Sequence, residues 1–224
     1  MSKKVTNKVR KSPQKSVREV IKDIKELPKP KATVAVTDEQ YEAIVKLLWE
    51  GSSPQGTGAY IRRQPDIAIA LSTQANLGLR IGDIVNLTMD SFVSDGGRWR
   101  FNMRESKTKK VRTFTVPDPV YNMLAKHAKV NGIKPDEKLF RVGIRDIQRA
   151  VQRCVDYLGY PGTISTHSFR KRFATAAYLA SGDIEVVRIL LQHSSQSVTQ
   201  RYINIESLKV SKTLNKITKI VVSY

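Results

Sequence analysis

The 224-residue sequence has few of the residue types on which many functional sites depend. Its single cysteine, Cys154, cannot form an internal disulfide, which fits a reducing compartment. There are three histidines, and because no Cys/His cluster has zinc-site spacing, we expect no metal or other cofactor. No apolar run approaches the roughly 18 residues that a membrane-spanning helix requires. The basic N-terminus also lacks the apolar segment of a signal peptide, so we expect a cytoplasmic protein.

Acidic residues are scarce as well. The chain has 20 acidic against 39 basic side chains, which gives a formal net charge of +19. Such a charge indicates a polyanionic partner, and nucleic acid and anionic membrane both fit it. Apolar residues make up 40% of the chain, which is enough for a buried core.

Three segments of the chain differ in composition. Residues 1–35 form a basic arm, with a short amphipathic helix followed by a proline-containing linker. Residues 36–205 carry most of the helical and strand patterns and are predicted to be the main domain. Residues 206–224 are predicted to add a further helix with an apolar, β-branched end.

The spacing of apolar residues predicts an α+β fold that is mainly α-helical. One helix is expected after Thr37, which with Gln40 resembles a capping box, and another from Pro65 to the helix-stopping Gly78. Two polar turns, SDGG and SKTKK, separate three strand-like runs over residues 88–117. We therefore expect a small three-stranded antiparallel sheet with one basic face.

Helical spacing returns after the strands. Helices are predicted over 119–130 and 144–158, and Cys154 lies on the apolar face of the second, as a packed core thiol would. The segment THSFRKRFATAAYLASG predicts another helix that ends at Gly182, and Asp183 is expected to cap the next one.

The three histidines differ in their surroundings. His127 lies among lysines on a predicted helix and is expected to be exposed or half-buried. His167 precedes Arg170 by three residues at a helix start, so the two side chains lie about one turn apart. Together with the free amides of that helix start, they can share an anionic ligand. His193 stands nine residues before Tyr202 in the polar stretch QHSSQSVTQRY.

Two further cations stand out. Arg80 follows the helix-stopping Gly78 in an apolar run, so partial burial is expected, and a buried arginine requires an anion. Asp83, three residues later, is one candidate for that anion, and a phosphate is the other. Lys107 is predicted at the tip of a hairpin, where a lysine is usually solvated.

Taken in order, these residues resemble the tyrosine recombinase, or phage integrase, family. That family has an arginine after Gly-Leu, a hairpin lysine, a His-x-x-Arg motif, a further His or Trp, and a nucleophilic tyrosine about nine residues later. The resemblance covers about residues 37–205. The matching segments are NLGLRIGDIVNL, ESKTKKVRTFTVP, STHSFRKRFAT, LLQHSS and TQRY.

The resemblance implies a role for each residue. Arg80 and Arg170 would hold the non-bridging oxygens of a scissile phosphate in fork geometry and, with no metal, supply the electrostatic stabilisation. Tyr202 would be the nucleophile that forms a 3′-phosphotyrosyl intermediate. Because a phenol has a pKa near 10, it needs a base, and His167 is the expected proton acceptor.

The remaining roles concern the leaving oxygen and the phosphate. The resemblance assigns protonation of the 5′-oxygen to Lys107, although Lys109 and Lys110 are close to it in sequence. His193 would donate a hydrogen bond to the scissile phosphate. Two residues depart from the family pattern without removing a catalytic group: Gln192 replaces a common glycine, and Phe169 replaces a common leucine.

The resemblance also implies partners. We expect double-stranded DNA, a homotetramer on two DNA sites, a possible accessory DNA-binding protein and no membrane. Most members carry an N-terminal core-binding domain, whereas here a short basic arm precedes the catalytic pattern. The chain is then either a minimal recombinase or one whose core-binding function lies elsewhere. The tail over 206–224 is expected to pack on its own core or on a neighbouring subunit.

Two other functions fit parts of the sequence. A DNA-binding regulator with this fold and no catalysis would explain the charge, but it would not need Tyr202 together with His167 and Lys107. A type IB topoisomerase or a telomere resolvase would share the chemistry. The sequence leaves open the DNA site, cleavage in cis or in trans, and the choice among integration, excision and resolution.

Overall fold

The structure is a computed structural model that describes residues 33–53 and 60–203, without the side chains of Arg201 and Tyr202. The predicted helix of the basic arm and the tail over 206–224 lie outside the described residues. Their boundaries with the main domain therefore stay predictions.

Helices make up most of the described chain. The fold is α+β and mainly helical, as the sequence predicts. The helices are α1 (Asp38–Glu50), α2 (Pro65–Leu77), α3 (Ile81–Ile84), α4 (Asp118–Val130), α5 (Ile144–Leu158), α6 (Thr166–Ser181), α7 (Ile184–Leu191) and α8 (Gln196–Ile203).

The predicted helix ends are confirmed by their capping contacts. Thr37 and Gln40 form a capping box at the start of α1, where the Gln40 amide donates to Thr37 Oγ1 at 3.2 Å. Gly78 ends α2 in the left-handed conformation, with φ of 63°, and a Cβ there would lie 2.3 Å from the ring of Phe173. Asp183 caps α7 by accepting from the Glu185 amide at 2.7 Å.

The strands form two small antiparallel sheets. β1 (Phe92–Asp95), β2 (Arg98–Phe101) and β5 (Thr115–Val116) form the predicted three-stranded sheet in the order β1-β2-β5. β3 (Met103–Arg104) pairs separately with β4 (Val111–Arg112).

One of the predicted strand-like runs, residues 98–105, forms both β2 and β3, with a break at Asn102. The Asn102 amide donates to the Ser91 carbonyl at 2.8 Å, which extends the pairing of β1 with β2 by one residue beyond Phe92↔Phe101. β3 and β4 continue the register in which β2 pairs with β5, from Trp99↔Val116 to Arg104↔Val111. This segment, residues 103–112, is called the hairpin below.

The core is built around α2, most of whose residues are buried between α1 and α6. A smaller apolar cluster joins α6, α7 and α8 through Ala174, Val187, Leu191 and Ile203. The C-terminal end of α2 therefore lies inside the fold, and Arg80 follows its last residue by three positions. Among the described residues, no helix is both long and apolar enough to cross a bilayer.

Two predicted side chains illustrate the core. Cys154 is fully buried, and burial raises the pKa of its thiol to about 12, which confirms a packed thiol. The expectation of an exposed or half-buried His127 is wrong. His127 is buried, with Nε2 2.9 Å from the Leu139 carbonyl, because the loop after α4 folds back over it.

Candidate active site

Arg170 lies at the centre of the site. Its side chain is almost fully buried on α6, and its guanidinium donates to the carbonyls of Gly78 and Leu191, the latter at 2.8 Å. These carbonyls lie at the C-terminal ends of α2 and α7, where unsatisfied backbone oxygens carry partial negative charge. Arg170 therefore joins the two helix ends and has a favourable environment for its buried charge.

Arg80 lies at the start of α3, next to the end of α2. Its guanidinium forms an ion pair with Glu105, a residue that sequence reasoning did not consider. Glu105 is fully buried, whereas the Arg80 side chain is 21% exposed and keeps a surface open to a ligand. Asp83, the partner proposed from sequence, instead accepts from the Ser106 amide at 2.7 Å.

Glu105 begins the turn of the hairpin and binds three side chains. Besides pairing with Arg80, it accepts from Thr108 Oγ1 and from Arg112 Nη1, both at 2.8 Å. Burial alone would raise the pKa of its carboxyl, but the Thr108 hydrogen bond and the charges of Arg80 and Arg112 together lower it. Glu105 is therefore ionised at neutral pH and anchors the base of the hairpin.

Arg112 is the second residue that sequence reasoning missed. Its guanidinium is 1% exposed and donates to the carbonyls of Leu77, at 3.3 Å, and Leu190, besides Glu105. Burial is the main reason that its pKa falls to about 10, which still leaves it charged at neutral pH. Arg112 thus fastens the hairpin to the same two helix ends that Arg170 joins.

The sequence contained one signal for this pair. Glu105 is the sole acidic residue between Arg98 and Pro117, in a run of basic residues that the sequence predicts to form a basic sheet face and a turn. A single acidic residue among so many basic ones indicates an ion pair with one of them. The sequence could not predict that Arg112 is the partner of Glu105, because this pairing depends on the register Met103↔Arg112.

Lys107 lies in the turn of the hairpin, as predicted, and is exposed. Its positive charge is one of the causes that lower the pKa of His167, so the turn brings it toward that histidine. Lys109 and Lys110 are also exposed. Lys109 adopts φ of 58°, and its carbonyl accepts from Arg104 Nη1 at 2.7 Å.

His167 is the second residue of α6, where its amide donates to Ser165 Oγ at 3.2 Å. Its pKa is lowered, first by partial burial and then by the charges of Arg170, Lys171, Lys107 and Arg80. The imidazole is therefore neutral at neutral pH and is able to accept a proton.

His193 follows the end of α7 and is buried. Burial and the charges of Arg170 and Arg80 lower its pKa to about 4, while Glu105 acts in the opposite direction. Its Nε2 lies 3.5 Å from Arg170 Nη2, and its Nδ1 lies 3.0 Å from Thr199 Oγ1. This histidine is also neutral at neutral pH.

Gln192 stands where the family pattern commonly has glycine. It adopts the left-handed conformation at φ of 53° and ψ of 38°, which costs a non-glycine residue about 1–2 kcal/mol. Its Nε2 donates to the Val111 carbonyl at 3.0 Å. The side chain thereby adds a link between α7 and the hairpin that glycine could not make.

Tyr202 is placed by its backbone on α8, which packs against α6 and α7. The structure thus brings together five predicted residues: Arg80, Lys107, His167, Arg170 and His193. Their catalytic roles stay predictions. Within residues 33–53 and 60–203, no group of three or more His, Cys, Asp or Glu side chains is arranged to hold a metal ion.

Comparison with known sequences agrees with this arrangement. Residues 34–208 match the pattern that defines the phage integrase family. The chain belongs to this family. The XerC tyrosine recombinase of Agrobacterium fabrum (strain C58 / ATCC 33970) is 28% identical over 203 residues, which cover 84% of this chain and 58% of that protein. The chain spans about half the length of the XerC relatives that it matches.

Two solved structures show the same fold. The XerH recombinase bound to difH DNA after cleavage superposes with a TM-score of 0.62 at 16% identity, over 82% of this chain and 53% of that one. The catalytic domain of bacteriophage HP1 integrase gives 0.55 at 21% identity, over 83% of this chain and 97% of that domain. The fold of this integrase-family chain is therefore that of a tyrosine recombinase catalytic domain.

Proposed function

We propose that the chain is a tyrosine-type site-specific DNA recombinase that cleaves and rejoins strands through a covalent 3′-phosphotyrosyl intermediate. The observation that carries the proposal is the position of Arg170. This buried cation lies between two helix ends, 3.5 Å from His193, and helps to keep His167 neutral. The residues proposed as phosphate clamp and proton acceptor therefore lie at one site, beside the helix that bears Tyr202.

The reaction follows from these groups. Arg80 and Arg170, called the clamp below, bind the non-bridging oxygens and balance the charge that builds up on five-coordinate phosphorus. The Tyr202 oxygen attacks phosphorus and gives its proton to His167, while the bond to the 5′-oxygen breaks. Lys107 supplies a proton to that oxygen, and Lys109 and Lys110 are the alternative donors. Attack by the 5′-hydroxyl of another strand reverses these steps and completes the exchange.

The charge of the site suits a phosphodiester. Three arginines, the buried Arg112 and Arg170 and the partly exposed Arg80, lie near two buried acidic residues, Glu105 and Asp83. The arginines outnumber these acidic residues, so a bound phosphate adds negative charge where positive charge is in excess. It must share Arg80 with Glu105, so Glu105 holds that guanidinium in position without covering its exposed surface.

We further propose double-stranded DNA as the substrate and a homotetramer on two DNA sites as the assembly, with an accessory DNA-binding protein as a possible partner. The net charge of +19 supports the DNA substrate. The XerH and Tn1549 integrase structures contain DNA, and a lambda integrase structure is a dimer on a core site. The relatives are bacterial, and a location in the cytoplasm on DNA fits them.

The proposed organisation keeps three parts: a basic arm over 1–35, the catalytic domain over 36–205 and a tail over 206–224. The tail ends in an apolar segment and is proposed to dock on a neighbouring subunit. Such docking would couple the placement of Tyr202 to assembly of the tetramer.

Covalent capture from a randomised DNA pool tests the function and identifies the DNA site in one experiment. The protein is incubated in EDTA with a pool of randomised, nicked suicide duplexes, and adducts are separated on a denaturing gel and sequenced. We expect the wild type to form an adduct with a shared sequence and Tyr202→Phe to form none. DNA binding without an adduct would instead favour the non-catalytic regulator. Relaxation of supercoiled plasmid without strand exchange would favour the topoisomerase.

A further inference from the structure

Thr199 is a fully buried residue of α8 that the proposed mechanism does not use. Its Oγ1 lies 3.0 Å from Nδ1 of His193, and it precedes Tyr202 by three residues. The other ring nitrogen of His193, Nε2, lies 3.5 Å from Arg170 Nη2. The two nitrogens thus contact different parts of the site: Nδ1 contacts the helix of the nucleophile, and Nε2 contacts the clamp.

The position of one proton decides what His193 can do. A neutral imidazole has a single N–H, on either Nδ1 or Nε2. Phosphate oxygens accept hydrogen bonds, so His193 can bind a phosphate only when Nε2 carries the proton. Nδ1 then needs a donor, and the Thr199 hydroxyl is placed to be one.

The same hydroxyl also suits the opposite tautomer. When Nε2 accepts from Arg170, Nδ1 carries the proton and Thr199 Oγ1 can accept it. The hydroxyl proton of Thr199 then has the Ser195 carbonyl, 3.4 Å away, as an acceptor. A hydroxyl is able to both donate and accept, whereas a valine of similar shape can do neither.

We propose that Thr199 is a positioning residue that holds His193 as the Nε2–H tautomer when a phosphate is bound. The proton moves between the ring nitrogens by exchange with solvent. Because Thr199 lies on α8, correct seating of the helix that carries Tyr202 and the orientation of His193 depend on each other. The kinetic consequences of this inference rest on the proposed recombinase function.

The tautomer can be measured without DNA. With three histidines in the chain, imidazole ¹⁵N signals are resolvable, and His193 is assigned by the signal lost in His193→Asn. Orthovanadate serves as the five-coordinate phosphate mimic. We expect wild type and Thr199→Ser to show a single Nε2–H tautomer with vanadate, and Thr199→Val to show a mixture. A wild-type signal that does not respond to vanadate, or a valine variant identical to wild type, overturns the proposal.

Kinetics separate positioning from simple packing. In single-turnover cleavage of a captured suicide duplex, we expect Thr199→Val to slow adduct formation about tenfold, the size of one lost hydrogen bond, and Thr199→Ser to restore it. In a His193→Ala background, Thr199→Val should have no further effect, because its action passes through the imidazole. An equal loss in both backgrounds would show a packing role and overturn the proposal.

Different results would contradict the recombinase function and the role of Thr199. A wild type that shows the expected tautomer but forms no adduct contradicts the recombinase function and leaves the Thr199–His193 contact standing. A wild type that forms the adduct, with a valine variant equally fast, contradicts the role of Thr199 alone.

Discussion

The two sides of the candidate site are held in different ways. On the side of Arg170, the guanidinium is buried and bonded to the carbonyls of two helices. On the side of the hairpin, Lys107 lies in an exposed turn that is anchored at its base by Glu105 and Arg112. The arginine proposed to bind phosphate is therefore held in the core by backbone contacts, whereas the proposed proton donor depends on the ion pairs of Glu105 for its position.

Replacing Arg170 should have the largest effect. We expect Arg170→Ala to reduce adduct formation by at least about 10³-fold, the upper range for loss of one transition-state donor. The free energy of unfolding should also fall, by about 1–3 kcal/mol, because the Gly78 and Leu191 carbonyls lose their donor. Single-turnover cleavage and urea unfolding measure the two effects.

Arg170→Lys is the matched control, because lysine keeps the positive charge but lacks the paired N–H donors of a guanidinium. It should bind DNA like the wild type and cleave slowly. If Arg170→Ala loses DNA affinity in the same proportion as cleavage, Arg170 is only a phosphate anchor and the clamp is not specific to the transition state.

Lys107 tests the opposite side of the site. Lys107→Ala should slow cleavage by about 10²-fold or more, as expected for loss of a general acid, with stability unchanged because the side chain is exposed. A 5′-bridging phosphorothiolate should restore the rate, because a thiolate leaves without a proton. Lys109→Ala and Lys110→Ala are matched controls that should cleave normally. If the phosphorothiolate instead restores the rate of Lys109→Ala or Lys110→Ala, that lysine is the general acid and Lys107 is not.

Glu105→Gln tests the connection between the two sides. It leaves Arg80 and Arg112 without their carboxylate, so we expect a loss of about 3 kcal/mol in unfolding free energy, as for a broken buried ion pair. The folded pKa of Glu105 lies below its ordinary 4.5. Its stabilisation is therefore complete above that value and is lost as pH falls through the lowered pKa.

Urea unfolding between pH 6 and 3 measures this contribution. The wild type should lose stability toward pH 3 more steeply than Glu105→Gln. Equal slopes would show that Glu105 is not the ionised anchor of the hairpin. Thr108→Val, which removes a neutral hydrogen bond to the same carboxylate, is the matched control and should cost less, about 1 kcal/mol.

The sequence predicted what local chemistry determines. Thr37 and Gly78 mark helix ends because a cap and a left-handed residue act within a few positions. The order of the polar motifs indicated the family and identified the candidate site residues. Contacts across long sequence separations could not be predicted: Arg112 reaches Leu190, and His127 is covered by Leu139.

The most direct test of the account is the chemical identity of the nucleophile. Trypsin cleaves after Arg201 and Lys209, so Tyr202 lies in the peptide YINIESLK, which contains one tyrosine. After covalent capture and nuclease trimming, mass spectrometry should find a 3′-linked nucleotide on this peptide. A nucleotide on any other peptide, or no linked peptide despite specific DNA binding, would contradict the account.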